Sequence, residues 1–146
     1  PQIMYLDGDR SAAIRDDGFT LYKGSQIPKE VETIKVDKEI VSTFYDDNII
    51  GLVFKNGDKD KPYTMRGYST DGRLKFEKKF NIPYTTIKAS GGNILLYNSS
   101  QISVMNSRGV EKYSGTVDGT ISNFIKTGWN RYLLVLDNGV DVIKLS

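Results

Sequence analysis

A near-regular period of 37 residues runs through this chain and constrains its fold more than any single residue does. The turns Asp16-Asp17-Gly18, Thr70-Asp71-Gly72 and Ser107-Arg108-Gly109 punctuate it, and Gln2, Asn48, Asn93 and Asn130 each precede an apolar run. Gln2 to Gly18, Asn93 to Gly109 and Asn130 to Ser146 are each 16 residues apart, and Gly72 to Asn93 and Gly109 to Asn130 are each 21. Two intervals are longer: Asn48 to Gly72 is 24 residues, stretched by the polar segment 55–62, and Gly18 to Asn48 is 30. Self-similarity at a fixed spacing means one supersecondary unit stacked several times, each unit burying its apolar faces against its neighbours. The units cover approximately 1–38, 39–84, 85–121 and 122–146, within a single domain spanning 1–146.

Side chains recur in columns along this period. Large residues Ile14, Tyr68, Met105 and Val142 precede the unit ends, aromatics Tyr22, Phe76 and Tyr113 follow the turn glycines, and Leu6, Leu52, Tyr97 and Leu134 follow the Asn/Gln anchors. The runs at 49–54 and 132–136 are short, apolar and rich in β-formers, so they read as strands covered on both faces. Segments 74–77 and 110–113 alternate in polarity and carry Lys, as edge strands do. Segments 86–88 and 122–125 are short, and no window has helical apolar spacing. The class is all-β: four-stranded antiparallel meanders joined by Gly/Asn/Asp turns, the blades of a β-propeller.

A turn glycine followed by an aromatic-bearing strand resembles the quinoprotein- and WD-type propeller superfamily. Within it, the chain looks most like an uncharacterised, membrane-anchored propeller family of Gram-positive bacteria. The Gly-His and Trp-Asp dipeptides of WD repeats and the Trp-docking signature of quinoprotein blades are missing. The resemblance therefore implies a fold and carries no activity with it.

Strand counting from the anchors gives 14 strands, with the first unit lacking its opening strand and the last its closing one, a partial ring of about 3.5 blades. Three readings follow. The chain is a piece of a larger ring, or two copies pair their open blade edges as a homodimer, or four blades close alone. The missing strands favour the first.

Composition bounds the chemistry. With no Cys and no His, disulfides, thiolate and imidazole metal ligands, cysteine nucleophiles and His-dependent triads are excluded. A net charge of +2 gives no general steering toward nucleic acid or membrane. No apolar run approaches the ~20 residues of a membrane helix. The chain opens at Pro1 without an initiator Met, which leaves room for an anchoring segment upstream.

Motif-like groups dissolve into the repeat. Asp7-Gly8-Asp9 starts like a calcium loop but lacks the later Gly and bidentate Glu, and 56–60 fails in the same way. Asn48, Asn93 and Asn130 recur at one turn position, where tolerance of positive φ explains them. Residues 55–80 hold eight basic and four acidic side chains, but the lysines fit the outer faces of strands, so no nucleic-acid partner is expected. No catalytic, metal or cofactor residues are assigned.

What remains is recognition by loops. The two length irregularities, 55–62 and the connection 25–37, are expected on one face, opposite the tight turns. Candidate interaction residues there are Lys55, Asp58, Lys59, Asp60, Lys61, Tyr63, Lys29 and Glu30, and the lone Trp129 in its turn is a further one. The expected function is non-catalytic binding or scaffolding of a protein or cell-envelope partner at the bacterial cell surface, with the cytoplasm as the other compartment. The competing class is part of a propeller enzyme whose cofactor or metal site is completed by further blades.

Overall fold

In a computed structural model that describes residues 2–145, the chain forms fifteen β-strands and, among those residues, no helix. Each strand pairs antiparallel with its neighbour in sequence, giving four serial meanders. The first sheet comprises β1 (Gln2–Tyr5), β2 (Arg10–Arg15), β3 (Gly18–Lys23) and β4 (Lys29–Lys35). The second comprises β5 (Ile40–Asp46), β6 (Ile49–Lys55), β7 (Tyr63–Ser69) and β8 (Leu74–Phe80), and the third β9 (Thr86–Ser90), β10 (Asn93–Tyr97), β11 (Gln101–Asn106) and β12 (Glu111–Thr116). The fourth has three strands, β13 (Ile121–Gly128), β14 (Arg131–Leu136) and β15 (Gly139–Lys144). These are β-propeller blades, three of four strands and one of three.

The sheets fall into two compact units, Pro1–Asn81 and Ile82–Ser146. In the first, Leu6 of the β1–β2 connection and Ile14, Phe19 and Leu21 of one sheet pack with Ile50, Leu52, Phe54 and Tyr68 of the other. Phe19 meets Tyr68 edge-on, with ring centroids 5.1 Å apart. In the second unit Leu95, Tyr97, Ile102 and Val104 pack against Phe124, Tyr132 and Leu134. Strands β6 and β10 are apolar along nearly their whole length because both of their faces are covered. The fourth strands β4, β8 and β12 carry Lys and Glu because they face water.

One row across the second sheet has an unusual composition. Phe44, Gly51, Gly67 and Phe76 stand opposite one another on successive strands. A β-carbon at residue 51 would come 2.1 Å from Phe44 Cζ, and one at residue 67 would come 2.1 Å from Phe76 Cε1. The outer aromatics lie over the inner glycines, so the strand centre is filled from its edges.

The structure corrects the sequence reading in three places. The first sheet is complete: β1 opens it, and the segment expected to be a long connection contains β4. That strand is mostly exposed and highly charged, so it has no apolar signature, and its pairing with β3 creates it. The described residues thus form fifteen strands where fourteen were expected. The asparagines are also not equivalent. Asn48 and Asn130 have φ of 64° and 50°, whereas the third unit uses Gly91 and Gly92 in that turn, and Asn93 is one step later, buried as the first residue of β10.

Candidate functional site

The β6–β7 loop is the longest excursion from the blades, and Asn56 holds its shape. The Asn56 side chain donates from Nδ2 to the carbonyl of Lys61 at 2.8 Å, and its Oδ1 accepts from Thr64 Oγ1 at 2.6 Å and from Lys38 Nζ at 3.4 Å. Its backbone N–H donates to the Pro62 carbonyl at 2.7 Å. Asp58 adds a local turn by accepting from the Asp60 N–H at 2.9 Å. Lys55, Asp58, Lys59, Asp60 and Lys61 are all exposed on this fixed frame. Tyr63 follows, half-buried, and stacks on Phe80 with centroids 5.3 Å apart. It supports the loop rather than extending from it.

Lys38 lies in the β4–β5 connection, so that connection and the β6–β7 loop meet at one end of the first unit. Lys29 and Glu30 do not join them. They open β4, whose seven residues run from the opposite end, and at about 3.3 Å per residue the strand separates them from Lys38 by its full length. Glu30 accepts from Thr33 Oγ1 at 3.2 Å. Trp129 sits in the β13–β14 turn of the second unit and is 87% exposed.

Two of the basic residues in the stretch 55–80, Arg66 and Arg73, pair with acids. Arg66 Nε donates to Glu77 Oε2 at 2.7 Å and its guanidinium lies 5.2 Å over the Phe54 ring. Arg73 Nη2 donates to Asp71 at 2.9 Å, and the Ser69 hydroxyl donates to the other Asp71 oxygen. The Ser69 hydrogen bond, then Arg73, hold the Asp71 carboxyl down at about 2.

Two polar ties escaped sequence reasoning because their partners are distant in the chain. In the first unit, the Tyr45 hydroxyl donates to Asp7 Oδ2 at 2.8 Å and accepts from the Asp7 N–H at 3.1 Å. Burial, with the neighbouring Asp7 carboxylate, pushes this hydroxyl up. In the second unit, Asn93 Oδ1 accepts from Lys126 Nζ at 2.6 Å and from the Tyr132 hydroxyl at 3.1 Å, while Nδ2 donates to the Met105 carbonyl at 3.4 Å. Lys126 also donates to the Gly91 carbonyl at 2.8 Å. Burial pushes the Tyr132 hydroxyl up. The only sequence signal was the buried Asn itself, which the turn column absorbed.

Each unit also has a shallow cleft between its sheets. The first, about 290 Å³, is bordered by Gln2, Arg15, Asp16, Ser42 and Thr43. The second, about 410 Å³, is bordered by Thr85, Thr86, Tyr97, Asn98, Ser99 and Ser122. The first offers the charged side chains of Arg15 and Asp16 beside amide and hydroxyl groups, and the second offers amide and hydroxyl groups, all able to hydrogen-bond. Among the described residues no three carboxylates come together to hold a metal ion.

The model of a family of unknown function, DUF5711, matches residues 1–145. No curated protein matches the chain in sequence. Among solved structures it is similar to BamB from Moraxella catarrhalis (14% identity, TM-score 0.67, covering 98% of this chain and 45% of that one). It is likewise similar to BBS1N, solved in complex with ARL6DN (12%, 0.63, 94% and 47%). PorZ of Porphyromonas gingivalis, a bacterial surface component of the type-IX secretion system, is a third (11%, 0.66, 97% and 20%). The chain thus spans half or less of the length of these structures, and the likeness is one of fold.

Proposed function

The chain belongs to the DUF5711 family, and we propose that it is a non-catalytic binding module whose β6–β7 loop engages a protein partner. The observation that carries this reading is the Asn56 frame. Four hydrogen bonds fix a loop whose outward side chains, Asp58, Lys59, Asp60 and Lys61, are charged and exposed. A loop ordered in advance loses less conformational entropy on binding than a mobile one. Its mixed charge suits an interface with a partner of complementary charge pattern rather than a polyanion. BBS1N, a propeller of similar fold, was solved in complex with a protein, which supports the class of partner. We further propose that the module works at the bacterial cell surface.

The test is site-specific photo-crosslinking in the native host. A photoreactive residue at Lys59 is expected to give one discrete protein adduct that is lost when Asn56→Ala loosens the frame. The same probe at Lys75, on β8, serves as the control. Equal adduct patterns from both positions would overturn the loop assignment. Protease treatment of intact cells then tests the compartment, with surface exposure expected and full protection contradicting it.

A further inference from the structure

The charges of the second unit are sorted to its two ends. Its meanders place the β9–β10, β11–β12 and β13–β14 turns at one end. Contacts between the two sheets hold that group together: Lys112 Nζ, on β12, donates to Asn130 Oδ1 at 3.2 Å, and Lys126 Nζ, on β13, donates to the Gly91 carbonyl at 2.8 Å. The β10–β11 turn, the β12–β13 connection and the β14–β15 turn meet at the other end, joined by backbone hydrogen bonds. Arg108, Lys112, Lys126, Arg131 and Lys144 all lie at the first end, with Glu111 as its acid. The second end has Asp118 and Asp137 and, among the described residues, no Lys or Arg. A net charge of +2 over the whole chain conceals this separation.

These cations are not neutralised from within. Among the described residues the ion pairs fall on Arg15, Arg66 and Arg73 of the first unit, so no carboxylate pairs with any of the five. Glu111 is turned along its own sheet, where it accepts from Ser103 Oγ at 3.3 Å. Arg131 and Lys144 stand directly opposite each other on β14 and β15, a like-charge pair that costs stability until an anion lies between them.

Two apolar side chains stand in water at the same end. Trp129, at the tip of the β13–β14 hairpin, is 87% exposed, and Val110, in the β11–β12 turn, is 56% exposed. The sister turns have Asp47 and Gly92 in the place of Trp129, so the repeat does not require an indole there. Val110 leaves a turn whose sheet already has its four strands. Hairpin tips point along the strands, whereas sheets pack through their faces and pair through their edges. The exposure of both residues therefore belongs to the turns and does not depend on an open strand edge.

We propose that this end of the second unit docks on an anionic lipid bilayer. Trp129 and Val110 enter the interfacial layer while Arg108, Lys112 and Arg131 pair with lipid phosphates. An indole settles at headgroup depth, where its ring is in apolar surroundings and its N–H still finds an acceptor. Each basic side chain near an anionic leaflet adds about fivefold to binding. The acidic end then points away from the leaflet, so the unit's own charge separation orients it. A soluble polyanion is the poorer occupant: it satisfies the cations but leaves Val110, which has no side-chain hydrogen-bonding group, in water. In the first unit the β5–β6 hairpin carries Asp46 and Asp47, which an anionic surface repels. This surface lies in a different unit from the β6–β7 loop and stands or falls without that reading.

The experiment uses the whole chain with vesicles of phosphatidylcholine alone or mixed equally with phosphatidylglycerol. Co-sedimentation is expected to show binding to the mixed vesicles at least about tenfold tighter than to phosphatidylcholine, weakening as salt rises. On the mixed vesicles Trp129 emission should shift to shorter wavelength and be quenched by lipids brominated on their acyl chains. Arg108→Gln combined with Arg131→Gln should weaken binding at least about tenfold, and Trp129→Ala about fivefold. Lys75→Gln, on β8 of the first unit, should change it by less than about twofold. All four positions are exposed, so circular dichroism should report an unchanged fold. No binding, equal binding to both vesicles, or binding that leaves Trp129 emission as it is in water would each overturn the proposal. So would soluble polyphosphate binding as tightly as the mixed vesicles, which would assign the cations to a polyanion.

Discussion

The ring of Phe76 occupies the space that a side chain on Gly67 would need, with Cε1 2.1 Å from the position of the absent β-carbon. The two residues are opposite each other across β7 and β8, so the glycine is an apolar contact surface for its neighbour rather than a gap.

Gly67→Ala should therefore destabilise the first unit by about 1–3 kcal/mol through overpacking. Phe76→Ala should cost about 2 kcal/mol, less than the about 3 kcal/mol of a fully buried ring, because Phe76 is only half-buried. The double variant should cost clearly less than the sum, since each change makes room for the other. Urea denaturation of the four proteins measures the coupling, and additivity would contradict the contact.

Asn93 is the acceptor for two donors in the second unit, Lys126 and Tyr132. Asn93→Leu leaves a buried tyrosine hydroxyl without its acceptor and should cost about 1–3 kcal/mol in chemical denaturation. Asn48→Leu and Asn130→Leu act differently, through positive φ, and the cheaper rescue there is Gly.

Tyr132 also sets a pH dependence. Burial raises its pKa in the folded state, so its contribution is fully present below the unfolded tyrosine value of about 10 and is lost as pH rises through the higher folded value. The wild type should lose stability above about pH 10 more steeply than Tyr132→Phe. Thermal melts across that range compare them.

Asp71 gives the acid counterpart. With its pKa held at about 2 by Ser69 and Arg73, the turn contributes stability above the ordinary carboxylate value that disappears as pH falls toward 2. Ser69→Ala should move the Asp71 titration back toward the ordinary range. Carboxyl carbon chemical shifts followed by NMR report it directly, and an unmoved midpoint would rule out the Ser69 hydrogen bond as the leading cause.

In the β6–β7 loop, Lys59→Ala should change stability by less than about 0.5 kcal/mol. Asn56→Ala should cost about 1–2 kcal/mol because it releases Lys61, Thr64 and Lys38 together. Equal effects in guanidinium melts would mean that the loop is not framed by Asn56.

The fold was legible because its buried strands are written as apolar runs: β6, β10 and β14 were all visible as such. Strand β4 was not, since Lys29, Glu30, Glu32 and Lys35 form a strand only by pairing with β3. The anchor column misread Asn93 by one residue, because Gly91 and Gly92 take the positive φ that Asn48 and Asn130 supply elsewhere. The candidate residues were chosen by irregularity alone. That singles out an exposed loop such as 58–61, but it cannot reveal that Lys29 and Glu30 lie at the far end of their sheet, nor that Asn93 and Lys126 meet across 33 positions. Such pairings depend on register and sheet packing, which a one-dimensional period does not encode.

The single tryptophan, standing in water at the tip of the β13–β14 turn, also decides how this protein can be watched. Its indole has nearly the same surroundings in the folded and unfolded chain, so its emission is a poor thermometer of folding. The same solitude makes it a clean, label-free beacon for any molecule that comes to rest on that turn. Folding itself is better followed through Phe124 and Tyr132, whose rings lie 5.7 Å apart in the interior and lose their fixed asymmetry only when the second unit opens.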